Sequence, residues 1–216
     1  MRWAPLLLFA LAACSDHSAA STPAGSDEPH IKLSGVYPEQ WKCTSVMTPE
    51  AAGAALDGTV RPIDTAMTPP RGVPQPCNYE VTRPDGTLEY WTFDIDCRDG
   101  MKQRADALFA QYKEQSDDLV TAYKALPDAP PPPKHPKVDK DVDAMVPSHP
   151  PEPAAEVAVG AKGLDHHGQG ILFIDKEAPC YVRVVGPDAT RRLDFARLIE
   201  KGLTFDNAPM TPRRSP

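Results

Sequence analysis

The chain has 216 residues, a formal charge of -7 and 41% hydrophobic residues, a length that allows one medium domain or two small ones. The acidic balance excludes binding to a phosphate backbone, because counterion release needs clustered Lys and Arg that this sequence lacks, so nucleic acid is not an expected partner. Its 26 prolines are about twice the usual share and point to ordered regions diluted by extended linkers.

Residues 1–13 carry one positive side chain, Arg2, followed by an apolar run from Trp3 to Ala13. At about 11 residues that run is too short to span a bilayer, so it reads as an export signal to be removed. It ends in Leu11-Ala12-Ala13-Cys14, which resembles the lipobox of bacterial lipoproteins. The resemblance implies diacylglyceryl modification of the Cys14 thiol, cleavage before it and acylation of the new amino group. More than one acyl chain anchors a protein stably, so the implied partner is a membrane. In enterobacterial lipoproteins an Asp directly after the modified Cys favours the inner membrane; here Ser15 follows, with Asp16 next, which implies the outer membrane. Residues 14–30 are rich in Ser, Ala, Thr, Pro and Asp without apolar period and read as a disordered tether.

Once Cys14 is assigned to lipid, Cys43, Cys77, Cys97 and Cys180 remain, an even set expected to form two disulfides in an exported protein. Of the three possible pairings we favour Cys43 with Cys77, bracketing one helix-loop-strand unit, and Cys97 with Cys180, joining a strand end to a later strand start. Closing loops of about 35 and 84 residues would contribute roughly 4 kcal/mol each in the chain-entropy model. Zinc is not expected from these thiols, since no C-x-x-C pair exists and the compartment is oxidising.

A first α+β unit is expected over residues 31–126. Ile31 to Val36 reads as a strand, and Trp41 could lie against a disulfide. Thr48-Pro49-Glu50 supplies an N-cap, a first-turn proline and an acid for a helix from Pro49 to Asp57 that Gly58 stops. Thr65 to Pro76 reads as an irregular loop. Cys77, Tyr79 and Val81 alternate before the turn Arg83-Pro84-Asp85-Gly86, and Trp91, Phe93, Ile95 and Cys97 alternate after it, a hairpin with one buried and one wet face. From Met101 to Leu126 apolar residues recur at the helical period, thinning around Gln115 to Asp118, where the helix is expected either to bend or to leave its core.

Residues 127–153 hold ten prolines and read as a solvated linker or surface excursion, with Pro130-x-x-Pro133 a possible ligand for an aromatic groove. A second hairpin-helix unit is expected over 154–206, packed on the first. Its parts are strands at Val157 to Ala161, Gly170 to Asp175 and Tyr181 to Val185, and a helix from Ala189 to Lys201 capped by Asp188. Residues 207–216 read as a loose tail. The fold class is thus α+β, antiparallel hairpins packed with one long and two short helices. The overall arrangement over residues 43–202 is similar to small lipoprotein domains of uncharacterised families, which brings no catalytic residues with it.

Asp94-Ile95-Asp96-Cys97-Arg98-Asp99-Gly100 begins like a calcium loop but has Arg98 at the fifth position, its glycine one place late and Ala105 at the twelfth, so no metal is expected. Asp165-His166-His167-Gly168 lacks the remainder of a metal set or catalytic triad and reads as a surface turn. No nucleophile elbow, zinc-protease or nucleotide motif occurs, and no cofactor is expected. These features point to a non-catalytic envelope lipoprotein that binds a protein or peptidoglycan. The alternatives are an envelope hydrolase or metal-dependent enzyme built on Asp94, Asp96, His166 and His167, and a periplasmic inhibitor or immunity protein.

Overall fold

The computed structural model describes residues 34–64, 68–125 and 152–212, all within one compact unit, Lys32–Pro216. It is an α+β fold built on an antiparallel seven-stranded sheet of order β1-β2-β3-β7-β6-β5-β4. The strands are β1 (Thr59–Ile63), β2 (Cys77–Thr82), β3 (Leu88–Asp96), β4 (Ala155–Glu156), β5 (Lys162–His166), β6 (Gly170–Ile174) and β7 (Tyr181–Val185). The helices are α1 (Pro49–Leu56), α2 (Met101–Ala125) and α3 (Ala189–Gly202).

The two expected hairpin-helix units share this sheet, because β3 pairs with β7 from Thr92↔Val185 to Asp96↔Tyr181. Both disulfides form the favoured pairs, Cys43–Cys77 and Cys97–Cys180; the second follows directly on the end of the β3–β7 ladder. Helices α2 and α3 each follow a hairpin, yet they pack on opposite faces of the sheet, so the resemblance between the halves is not a structural symmetry. On one face, α1 and α3 bury Leu56, Phe195, Ala196 and Ile199 against Tyr79, Val81, Trp91, Phe93 and Val182. Phe195 meets the rings of Tyr79, Trp91 and Phe93 at centroid distances of 6.3, 5.8 and 6.1 Å, the edge-on arrangement that ring quadrupoles favour. On the other face α2 lays Met101, Ala105 and Phe109 over Leu164, Leu172, Ile174 and Tyr181.

Local signals start α1 and α3 as expected, but the stops differ: Asp57 rather than Gly58 caps α1, and α3 runs through Gly202 to Leu203. The Thr48 hydroxyl accepts from the Ala51 N–H and Pro49 occupies the first turn, while Asp57, at φ 51°, closes α1 in the left-handed region. Asp188 accepts from the Arg191 N–H at the start of α3. The thin stretch of the α2 stripe still meets a partner: Ser116 is buried, and its hydroxyl accepts from the Ala154 N–H at 2.8 Å. Residues 127–151 of the proline-rich linker lie outside the described residues, as do Leu126, the export signal with Cys14 and the N-terminal tether.

Several elements depart from expectation. Strand β1 was not among the expected elements; the structure places it at the sheet edge, where the N–H missing at Pro62 is tolerated and blunts further strand pairing. Within the expected Ile31–Val36 strand, residues 34–36 are not extended into the sheet, and the Val36 N–H instead donates to the Ala208 carbonyl at 2.8 Å. The expected strand at Val157–Ala161 is displaced to β4 and β5. The chain turns between them at Gly160, φ 66°, where a Cβ would lie 2.2 Å from the Ile174 carbonyl oxygen. Asp165 and His166 therefore belong to a strand, and only the residues after them turn. The tail is not loose through residue 210: Ala208 is fully buried, and the Asn207 side chain donates to the Ser45 and Gly202 carbonyls. Trp41 lies in the same apolar cluster as Cys43 and Cys77, and its indole N–H donates to the Asn207 carbonyl at 2.9 Å.

Glu89 ties the top of the sheet to both helices on the α1/α3 face. Its carboxylate accepts from the Trp91 indole at 2.9 Å and from both terminal nitrogens of Arg191 at 3.0 Å. Arg83 lies 3.9 Å from it and donates to the Leu56 carbonyl at the end of α1. Burial pushes the Glu89 pKa up, but the bonds from Trp91 and Arg191 and the charges of Arg191 and Arg83 outweigh it and hold the pKa below the usual value. A depressed folded pKa contributes stability above the unfolded pKa and loses it as pH falls through the folded value. Glu89→Gln should therefore lower unfolding free energy by about 1–3 kcal/mol at neutral pH, with the difference from wild type narrowing on acidification in urea titrations. Next to this network, a Cβ on Gly186 would lie 2.2 Å from the Trp91 ring. Gly186→Ala should cost about 1–3 kcal/mol in the same titrations, since a ring fixed by Phe195 and Glu89 has little room to move.

Candidate functional site

Strand alternation sorts side chains to the two faces, and on the α2 face half the sheet has no helix over it among the described residues. Helix α2 lies over β5 and β7, and no residue of β1, β2 or β3 belongs to its apolar cluster. In phase on this open half stand Leu88, Tyr90, Thr92, Asp94 and Asp96 of β3, Asn78 and Glu80 of β2, and Arg183 and Val185 of β7. Leu88, Tyr90 and Val185 are 54%, 62% and 40% exposed. Leu88 and Tyr90 are neighbours on one strand face. Val185 sits opposite Thr92, one step along that face from Tyr90, within reach of a diagonal contact.

One row of this face is free of formal charge. Ile63 pairs with Asn78, Asn78 with Thr92, and Thr92 with Val185. Gly170, whose backbone lies against Val184 and Val185, pairs in turn with His166. Gly170 is buried, and a Cβ there would lie 2.1 Å from the Val184 carbonyl oxygen, so backbone interrupts the row between Val185 and His166. Tyr112 of α2 forms a wall at the far end, its ring 5.6 Å from that of His166 and edge-on to it. The Thr92 hydroxyl donates to the Asn78 side-chain carbonyl at 2.8 Å.

The charges flanking the row are paired within the face. Arg61 donates to Glu80 at 2.9 Å, and Arg183 meets Asp94 through two nitrogens at 2.9 Å. Asp96 is chelated by Arg98, the shortest contact being 2.6 Å. Burial pushes the Asp94 carboxyl above its usual pKa despite the opposing pull of Arg183, with Asp96 adding to the rise. Burial likewise raises the Tyr181 phenol, helped by Tyr112 and Asp94.

The enzyme alternative required Asp94, Asp96, His166 and His167 to converge, and the sheet does not bring them together. Asp94 on β3 and His166 on β5 are separated by β7 and β6, about 14 Å of sheet. Both aspartates are engaged by arginines, and the His166 Nδ1 accepts from the Gly168 N–H at 3.1 Å. Among the described residues no group of three His, Cys, Asp or Glu side chains could hold a metal ion, and no helix is long and apolar enough to cross a membrane.

Clefts are present elsewhere on the described residues. One of about 560 Å³ is at the start of α2, between Met101, Phe205, Met210 and the Cys97 disulfide, with Arg98 and Lys102 at its rim. A smaller cleft of about 320 Å³ adjoins Asp175, Glu177 and Glu200. Asp175 is 4% exposed, and one of its oxygens accepts from the Glu177 and Ala178 N–H groups, closing the β6–β7 turn. Burial raises its pKa beyond what those two bonds lower, and Glu200 and Glu177 add to the rise. A raised folded carboxyl pKa means that the ionised side chain costs stability as pH rises through the folded value. The stability of Asp175→Asn relative to wild type should therefore increase with pH across the carboxylate range in chemical denaturation; a flat or falling difference refutes this. No family model, curated protein or solved structure matches the chain.

Proposed function

We propose that this chain is a lipid-anchored, non-catalytic binding module of the bacterial envelope, held at the outer membrane through Cys14. In this reading the export signal delivers the chain, acylation of Cys14 anchors it, and residues 14–30 hold the folded domain away from the lipid. Two disulfides suit an oxidising compartment. The domain presents the open half of its sheet to a protein or cell-wall partner.

The observation that carries the binding role is the grouping of Leu88, Tyr90 and Val185 on one uncovered face. Scattered surface hydrophobics are ordinary, whereas adjacent ones on a face that the fold could have covered mark contact surfaces. The titratable groups on that face are engaged with one another instead of being aimed at a shared point, which favours recognition over catalysis.

Metabolic labelling with an alkyne-bearing fatty acid should mark the wild type and not Cys14→Ser, and the variant should leave the membrane fraction. A photo-crosslinking amino acid in place of Tyr90 should yield an envelope adduct, while one in place of Leu198, exposed on α3, should not. Unlabelled wild-type chain, or equal adducts at both positions, would overturn the reading.

A further inference from the structure

We propose that the cleft at the start of α2 docks on the bilayer that anchors the chain and seats the headgroup of an anionic phospholipid, so that β3 stands with Leu88 and Tyr90 pointed away from the membrane. This inference rests on the anchoring through Cys14 proposed above and adds an orientation to it.

The first support is where the chain enters and leaves the described structure. Ser34, the first described residue, and Thr211, next to the last, both line this cleft. Any path from Cys14 to the folded domain therefore arrives here. About 20 residues lie between Cys14 and Ser34, and a tether of the kind their composition predicts would have a mean span of about 25 Å. Lipid headgroups then surround the cleft at high effective concentration, so a site of low intrinsic affinity is filled. Cys97 in the cleft wall directly follows β3, whereas Leu88 begins that strand, about 27 Å from Asp96 at its other end. The bilayer is thus held nearest the cleft and farthest from Leu88 and Tyr90.

The second support is the chemistry of the lining. Met101, Phe205 and Met210 give the cleft an apolar wall, and Phe205 is 43% exposed. Lys102 lines the same cleft and Arg71 directly precedes its Gly72; both are exposed, and neither has an ion pair among the described residues. Arg98 is held by Asp96, and Asp99 is the carboxylate on the lining. Past Pro212 the sequence continues as Arg213-Arg214, so two further cations are joined to the chain within three residues of Thr211. An exposed aromatic ring beside unpaired cations suits a membrane interface, where the ring enters the headgroup layer and the cations meet lipid phosphates. The chain as a whole carries -7, so an anionic surface repels most of the molecule and favours the end where cations are unpaired. On the open sheet face, by contrast, Arg61 and Arg183 already hold Glu80 and Asp94, and the cleft beside Asp175 presents Glu177 and Glu200.

The test uses the full chain, purified from membranes and placed in phosphatidylethanolamine vesicles that contain either phosphatidylglycerol or phosphatidylcholine, each with a trace of its photoactivatable form. Peptide mapping by mass spectrometry should find phosphatidylglycerol adducts concentrated on residues 98–103 and 205–211 and scarce on the peptide carrying Tyr90. Lys102→Glu should reduce those adducts about tenfold. Lys124→Glu, the same change at the far end of α2, should leave them as in wild type; both lysines are exposed, so both variants should fold. Equal labelling of the Tyr90 peptide, equal cleft adducts from phosphatidylcholine, or cleft adducts unchanged in Lys102→Glu would each overturn the docking. A chain that carries no fatty acid and stays off the vesicles sinks the anchoring and the docking together, whereas a lipid-bearing, vesicle-bound chain without cleft adducts sinks the docking alone.

Discussion

The pairing of β3 with β7 is the contact on which the rest of the molecule depends. It joins residues 92–96 to residues 181–185, far apart in the sequence, and makes one seven-stranded sheet from a three-stranded and a four-stranded half. Because the register sends Phe93, Ile95, Val182 and Val184 to the same side, α1 and α3 share one continuous core. A slip of one residue would reverse every side chain of a strand. The Cys97–Cys180 bond sits where the ladder ends, so it restricts the unfolded chain at the longest closure in the domain and holds the register at the same place.

The same register produces the asymmetry from which the functional proposal comes. Strand β3 is long enough to run past the region that α2 covers, and its outer residues Leu88 and Tyr90 remain on the α2 face without a helix above them. Their neighbours on the opposite face, Glu89 and Trp91, are held by Arg191 and Phe195. One strand thus serves two roles through its alternation: a packed face that fixes the backbone and an open face that the fixed backbone presents. Pro62 at one edge and the very short β4 at the other discourage strand addition at the sheet borders.

The chemistry-bearing residues singled out from the sequence found structural duties. Asp96 is bonded to Arg98, Asp94 to Arg183, and Asp165 faces Arg192 at 3.7 Å. Each of these arginines comes from a position that no local motif could have connected to its carboxylate, apart from Arg98. The buried carboxyl of Asp175 closes a turn, and its cost is a matter of stability. The residues of the proposed contact face were overlooked for a different reason. Leu88 and Tyr90 lie in phase with Thr92, Asp94 and Asp96, so the alternation assigned them to the wet side, and that phase was the available signal.

The sequence by itself determined the local elements: the caps of α1 and α3, the β2–β3 hairpin with its buried face, the long stripe of α2 and the even set of cysteines. These are legible because caps, turns and periodicity act over a few residues. Tertiary structure alone decided that Thr59–Ile63 joins an edge, that Asp165 and His166 belong to a strand, that Asn207 and Ala208 dock, and that α2 and α3 take opposite faces. Each of these depends on partners distant in the chain: Ala208 on Val36, Gly160 on Ile174, β3 on β7. Which half of a sheet a helix covers follows from where the chain leaves its strand and what apolar surface it meets there. No window of sequence contains both.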